Sequence, residues 1–197
     1  VEECDISTFS FAKYLMWKDL RDRTESLKNN RLVAHLLDHP DKTYDDGHGD
    51  FPEPEQLDEK SNLGRVFTPL PADSSQLAAV LAAEAGKDFV IIGPPGTGKS
   101  QTIANMIAHC LAHGKTVLFV AEKAAALDVV HRRLKAYGLA DACLELHSNK
   151  ADRRNVLAQL GAAWDRSEVS NRQRWLQSAK HLREHRDSLN GYVEALH

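Results

Sequence analysis

What this chain lacks narrows its class before any motif is read. No apolar run approaches the roughly 18 residues that a helix needs to cross a bilayer, and the chain does not open on the pattern of a signal peptide. The expectation is a soluble, cytoplasmic protein with no membrane partner. There are only three cysteines in 197 residues, Cys4, Cys110 and Cys143, and none forms a CxxC pair. A disulfide framework and a cysteine zinc site are therefore not expected, and Cys110 and Cys143, set among apolar neighbours, read as small buried hydrophobes. Strong charge of one sign is missing too: the formal net charge is -3. With no global basic field, a nucleic-acid partner would have to be held by a local patch or by another domain. What remains, 42% hydrophobic and 27% charged residues, is ordinary globular composition.

The pattern along the chain changes three times. In "SFAKYLMWKDLRDRTESLKNNRLVAHLL" apolar residues recur at helical spacing, so residues 1–39 read as an N-terminal helical segment. Residues 40–70, rich in Asp, Glu, Gly and Pro and without periodicity, read as a linker or surface loop. Over residues 71–149 helical and strand patterns alternate, with "DFVIIG", "TVLFVA" and "ACLELH" as strands. The runs "FVII" and "VLFV" are apolar at every position, as strands covered on both faces should be, and the rhythm predicts an α/β parallel sheet with crossover helices. Residues 150–197 read as all helix, with Val156, Leu157, Leu160 and Trp164 on one face. Beyond them Trp175, Leu182, Leu189 and Leu196 recur at intervals of seven. An antiparallel helix pair fits that pattern better than a free coiled coil, which would want more heptads.

Between the first strand and the next helix lies "GPPGTGKS", residues 93 to 100. It satisfies GxxxxGK[ST], the Walker A pattern, in the strand-to-helix context that the pattern requires. Gly93, Gly96 and Gly98 permit backbone turns closed to other residues, so that the N-H groups of Pro94–Gln101, proline excepted, can face phosphate oxygens. That expectation takes in Pro94, Pro95, Thr97 and Gln101 as members of the loop. The helix start adds its positive dipole end. Lys99 is expected to reach the β- and γ-phosphates, and Ser100 to hold Mg²⁺ through its hydroxyl. The expected ligand is MgATP.

Seventeen residues before Gly93 stands Gln76. Two readings are open for it. Its amide can read an adenine edge by donating and accepting one hydrogen bond each, or, with Asp73 three residues earlier, it can complete a capping box. After the second strand comes "VAEKAAALDVVHRRL", where Lys123 and the helix start at 124–126 are candidates for contact with a nucleic-acid backbone; an ordinary crossover helix with solvated Lys and Arg is the alternative. One element is absent. No strand ending in Asp-Glu follows the loop, where an AAA+ ATPase would need one to hold Mg²⁺ and orient water.

With these motifs in view, the dense stretch from residue 69 to 160 resembles the first motor segment of large bacterial superfamily 1 helicases, on the branch of RNA-surveillance and nuclease-linked DNA helicases. The resemblance implies an incomplete P-loop, RecA-like parallel sheet with an N-terminal helical segment and a C-terminal helical insertion, and the adenine-reading role for Gln76. It also implies single-stranded DNA or RNA as partner, and a chain that lacks the acid pair, the water-positioning glutamine, the second motor lobe and its arginine fingers. On that reading the piece binds MgATP and turns it over negligibly by itself, whereas the intact protein is an ATP-hydrolysing helicase or translocase. A reading from another class is a non-catalytic ATP-sensing or protein-interaction module whose terminal helices bind partners. Two polar clusters complete the inventory. Asp45, Asp46, His48 and Asp50 in "DDGHGD" are a possible metal loop but more simply a solvated one. His181 and His185 stand at i, i+4 with His197 beyond, a zinc-pair spacing without a third ligand nearby.

Overall fold

The computed structural model describes residues 11–60, 62–146, 153–165 and 172–196. They fall into two compact units, divided between residues 49 and 50. The first is helical: α1 (Phe11–Asp22), α2 (Thr24–Leu27) and α3 (Arg31–Asp38). Asn30 starts α3 by accepting the Val33 N-H at 3.1 Å, the usual device for an otherwise unpaired first-turn donor. Trp17, Leu20, Leu27, Val33 and Leu37 face one another across an apolar groove, and the Arg21 guanidinium lies 4.6 Å from the centre of the Trp17 ring. The "DDGHGD" loop is built from local turns, with Asp45 accepting the Gly47 N-H and Asp46 the His48 N-H. Among the described residues no three His, Cys, Asp or Glu side chains converge as metal ligands; His197 lies outside them.

The second unit carries α4 (Leu57–Lys60), α5 (Ser74–Ala85), α6 (Lys99–Ala112), α7 (Ala124–Ala136), α8 (Arg153–Asp165) and α9 (Arg172–Leu196). Its core is built around α6. Ala78, Ala79, Val80 and Ala82 bury the inner face of α5, and Ala104, Ile107 and Ala108 of α6 meet Val130 and Leu134 of α7 and Leu70. Small side chains let these helices approach closely, so much of the core is alanine. Asp73 caps α5 through the Gln76 N-H at 2.8 Å, and Gly86, at φ 86°, ends it in the left-handed region that glycine tolerates. Among the described residues, no helix is long and apolar enough to cross a membrane.

The expected parallel sheet is not there: among the described residues there is no strand. Residues 87–94, 115–121 and 143–146 run as extended or irregular chain, and His147, the last residue of "ACLELH", lies outside the described residues. Val90 and Ile92 are 82% and 92% exposed, and Leu118 and Val120 are 87% and 75% exposed. The physical reason is that a strand has no hydrogen bonds of its own, whereas a helix satisfies its backbone within the segment. At two points, Leu70 and Glu145, the backbone of non-helical chain is met by a side-chain amide. Asn105 both accepts the Leu70 N-H and donates to the Leu70 carbonyl, each at 3.0 Å. Gln159 of α8 does the same to Glu145, at 2.8 and 3.4 Å. Each apolar run buries little more than one aromatic ring: Phe89 packs edge-on against Phe51, 5.4 Å between centres, and Phe119 joins the α6–α7 core.

The C-terminal helices also depart from the expected antiparallel pair. α9 packs chiefly on the 3-10 turn at 63–65, and α8 on the one at 140–142. Trp175 donates its indole N-H to the Gly64 carbonyl at 2.9 Å and stacks on Phe67 at 5.0 Å. One to four turns on, Ala179 is buried, Arg183 binds Asn62, and Arg186 and Asn190 bind Asp58. The face that docks is thus Trp175, Ala179, Arg183, Arg186 and Asn190, while Leu182, Leu189 and Leu196 of the heptad seam stay exposed.

Candidate phosphate-binding site

The loop "GPPGTGKS" opens α6. Gly96 and Gly98 have φ of 89° and 77°, in the left-handed region, and Gly98 is the residue that caps the helix. Its carbonyl accepts the N-H groups of Gln101 and Thr102 at 2.8 and 2.9 Å. The N-H groups of Gly98, Lys99 and Ser100, by contrast, meet no backbone acceptor among the described residues. Three consecutive donors at the positive end of a 14-residue helix are what an anion needs.

The side chains close over this loop. Lys99 donates its ammonium to the carbonyls of Gly93 and Pro94, and Thr97 donates its hydroxyl to the Pro94 carbonyl at 2.9 Å. A Cβ on Gly93 would come within 2.7 Å of the Thr97 hydroxyl oxygen, so a side chain there would displace that hydroxyl. Gly93, Lys99 and Ser100 are half-buried, while Pro94, Pro95, Gly96 and Thr97 are exposed. Among the described residues, the arrangement sets the Lys99 ammonium beside a row of backbone donors.

Gln76 is brought to the same place from α5. Its Nε2 donates to the Thr97 carbonyl at 3.2 Å, so the side chain reaches the loop rather than curling back onto its own helix end. Gln101, by contrast, turns away: its amide donates to the Pro71 carbonyl. Lys123 precedes the first turn of α7, exposed, with no side-chain capping bond. His181 faces Glu184 on α9 at 3.5 Å.

Sequence reasoning missed the polar stripe of α6. Gln101, Asn105 and His109, spaced by four, grip the backbone of residues 67–71 in turn: Pro71, then Leu70, then Phe67, whose N-H donates to His109 Nδ1 at 3.2 Å. Because Nδ1 accepts, the proton sits on Nε2, which is buried without a hydrogen-bond partner among the described residues. His109 is 1% exposed, and its pKa is lowered, first by burial and then by the neighbouring His113, with Arg65 and Lys115 adding to this against Glu84. The signal was present, since polar residues at i, i+4 and i+8 interrupt an apolar helix. Burial raises the thiols of Cys110 and Cys143, which fits inert packing roles.

Comparison with known proteins adds to this geometry. The family model described as "AAA domain" matches residues 71–192. The chain is 47% identical over 83 residues to the "uncharacterized ATP-dependent helicase MG140" of Mycoplasma genitalium, covering 42% of this chain and 7% of that protein. It is 46% identical over 79 residues to the MG140 homolog of Mycoplasma pneumoniae, covering 40% and 7%. The chain thus spans well under a tenth of these relatives. No solved structure matches.

Proposed function

The chain belongs to the AAA domain family, and from that premise we propose that residues 71–192 form the nucleotide-binding part of an ATP-dependent helicase or translocase of the superfamily 1 type. Its relatives bear the name ATP-dependent helicase, which supports a nucleotide-driven motor acting on single-stranded DNA or RNA. The observation that carries the proposal is the loop at the head of α6. There a left-handed Gly98 begins a run of N-H groups, 98–100, that meet no backbone acceptor among the described residues, and the Lys99 ammonium lies against the carbonyls of Gly93 and Pro94.

On binding, the phosphate chain takes the Lys99 ammonium from the Gly93 and Pro94 carbonyls, exchanging neutral acceptors for charged ones. Ser100, next in line, would supply the hydroxyl for Mg²⁺. Lys123, exposed before α7, is assigned to nucleic-acid backbone contact. Hydrolysis needs an acid to orient water and arginines to stabilise the transition state, groups worth orders of magnitude in rate; none of them lies beside Lys99 among the described residues. The chain of 197 residues is therefore assigned binding, and turnover is assigned to a longer protein.

The test is binding of a fluorescent ATP analogue to this protein and to Lys99→Ala. Removing the Lys99 ammonium should weaken binding at least about tenfold, the scale of one charge-assisted hydrogen bond or more. Binding that ignores Lys99 would sink the site assignment. Appreciable turnover by this chain alone would overturn the division of labour.

A further inference from the structure

We propose that His109 is a pH-operated latch through which α6 holds residues 63–67, and with them α9, against the body of the second unit. The latch lies outside the phosphate loop and owes nothing to nucleotide binding.

α9 is seated indirectly. Its residues Trp175, Arg183, Arg186 and Asn190 bind Gly64, Asn62 and Asp58, which precede the segment gripped by α6. The rung of that grip nearest the seat is Phe67. Its N-H donates to His109 Nδ1 at 3.2 Å, while its ring stacks on Trp175 at 5.0 Å and meets His113 edge-on at 5.5 Å. One residue therefore joins the histidines of α6 to the anchor of α9.

Neutral His109 can hold Phe67 because Nδ1 is the acceptor and the proton is on Nε2, buried without a hydrogen-bond partner among the described residues. A second proton must go on Nδ1. It sets one N-H against another, and the hydrogen bond becomes a clash of donors. The new charge is poorly relieved in place, since His109 is 1% exposed and an unpaired buried charge is costly. His113 and Lys115, at the end of α6 and just beyond it, and Arg65 of the 3-10 turn oppose the charge, against Glu84 of α5. α9 brings the neutral indole of Trp175, with the exposed Arg174 beside it in sequence. Lifting residues 63–67 relieves both faults, because water reaches the imidazolium and the Phe67 donor turns away. Asn105 still grips Leu70 and Gln101 still grips Pro71, so the segment pivots there and carries α9 with it. In the closed form burial first, and His113 next, hold the His109 pKa below its ordinary 6.5. The latch is thus shut above about pH 6.5 and opens as the pH falls through the lowered value, each further unit favouring the open form about tenfold.

Trp175 reports on the seat, being half-buried where Trp164 is 90% exposed. The full chain carrying Trp17→Phe and Trp164→Phe keeps Trp175 as its one tryptophan of three. Its quenching by acrylamide is followed from about pH 7.5 to 5 together with far-ultraviolet circular dichroism, and a variant keeping only Trp164 sets the level of an exposed indole. Quenching should rise to that level with a midpoint below pH 6.5 while the helical signal stays. His109→Gln supplies an acceptor that does not titrate and should keep Trp175 protected throughout. Nuclear magnetic resonance should show His109 of the parent protein protonating at the quenching midpoint. Quenching that stays low down to pH 5, or a rise that persists in His109→Gln, overturns the latch. A rise that coincides with loss of the helical signal overturns it too, because that is unfolding and not release. Where His109→Gln does not fold, the resonance decides: His109 protonating at a pH apart from the quenching midpoint refutes the coupling.

Discussion

Asn105→Leu is the substitution that most directly tests how this fold manages without strands. Asn105 is fully buried at 0% exposure, as Leu70 nearly is at 8%. The amide satisfies both the N-H and the carbonyl of Leu70 at 3.0 Å. Leucine fills a similar volume, so the change removes hydrogen bonds without opening a large cavity. It leaves two buried backbone groups unpaired, each costing about 1–3 kcal/mol, for a total near 4 kcal/mol. Against a stability of about 5–15 kcal/mol for a typical domain that is a large fraction, and it corresponds to a fall in thermal midpoint on the order of 8–16 °C for a chain of this size. Urea unfolding followed by far-ultraviolet circular dichroism measures it, with an unchanged slope showing that the folded state keeps its extent. Gln101→Ala provides the internal comparison. Its amide makes the same kind of bond, to Pro71, but from an exposed position, so its cost should stay within about 0.5 kcal/mol. An Asn105→Leu cost below about 1 kcal/mol, or equal costs at the two rungs, would show that burial of residues 67–71 does not depend on the amide ladder.

The same stripe predicts a pH dependence. Because burial and the adjacent His113 hold the folded pKa of His109 below its ordinary 6.5, its contribution is complete above about pH 6.5 and is lost as the pH falls below that value through the lowered folded pKa, where protonating Nδ1 also ends acceptance of the Phe67 N-H. Unfolding midpoints between pH 7.5 and 5 should therefore fall more steeply than in His109→Gln; identical slopes would refute the assignment. Trp175→Phe keeps the ring that stacks on Phe67 but removes the donor to Gly64, and should cost about 1 kcal/mol, read by urea unfolding; no loss would mean that stacking alone seats α9.

Local features of the chain were legible because they depend on neighbours in sequence. The helix starts at Asp73 and Gly98 follow from short-range capping and from glycine's access to positive φ, and the loop at residues 93–100 carries its spacing in plain view. Burial of Cys110 follows likewise from its apolar helical setting. The all-apolar runs misled because hydrophobic patterning states a preference for burial and not the partner that provides it. Val90, Ile92, Leu118 and Val120 have the composition of covered strands and are exposed here. The heptad leucines of α9 failed for the same reason, since Trp175, Ala179 and Arg186 dock instead.

What the sequence by itself determined is therefore the set of helices from α5 to α7 and the glycine-turned loop at the head of α6, since helical hydrogen bonds close within four residues and a glycine's φ is decided locally. Only the tertiary structure decided that Asn105, His109 and Gln159 would take the backbone groups of extended chain, and that Gln76 would reach Thr97. Those contacts join residues far apart in the chain, and a side-chain amide gains from such a contact only once packing has excluded water from both partners.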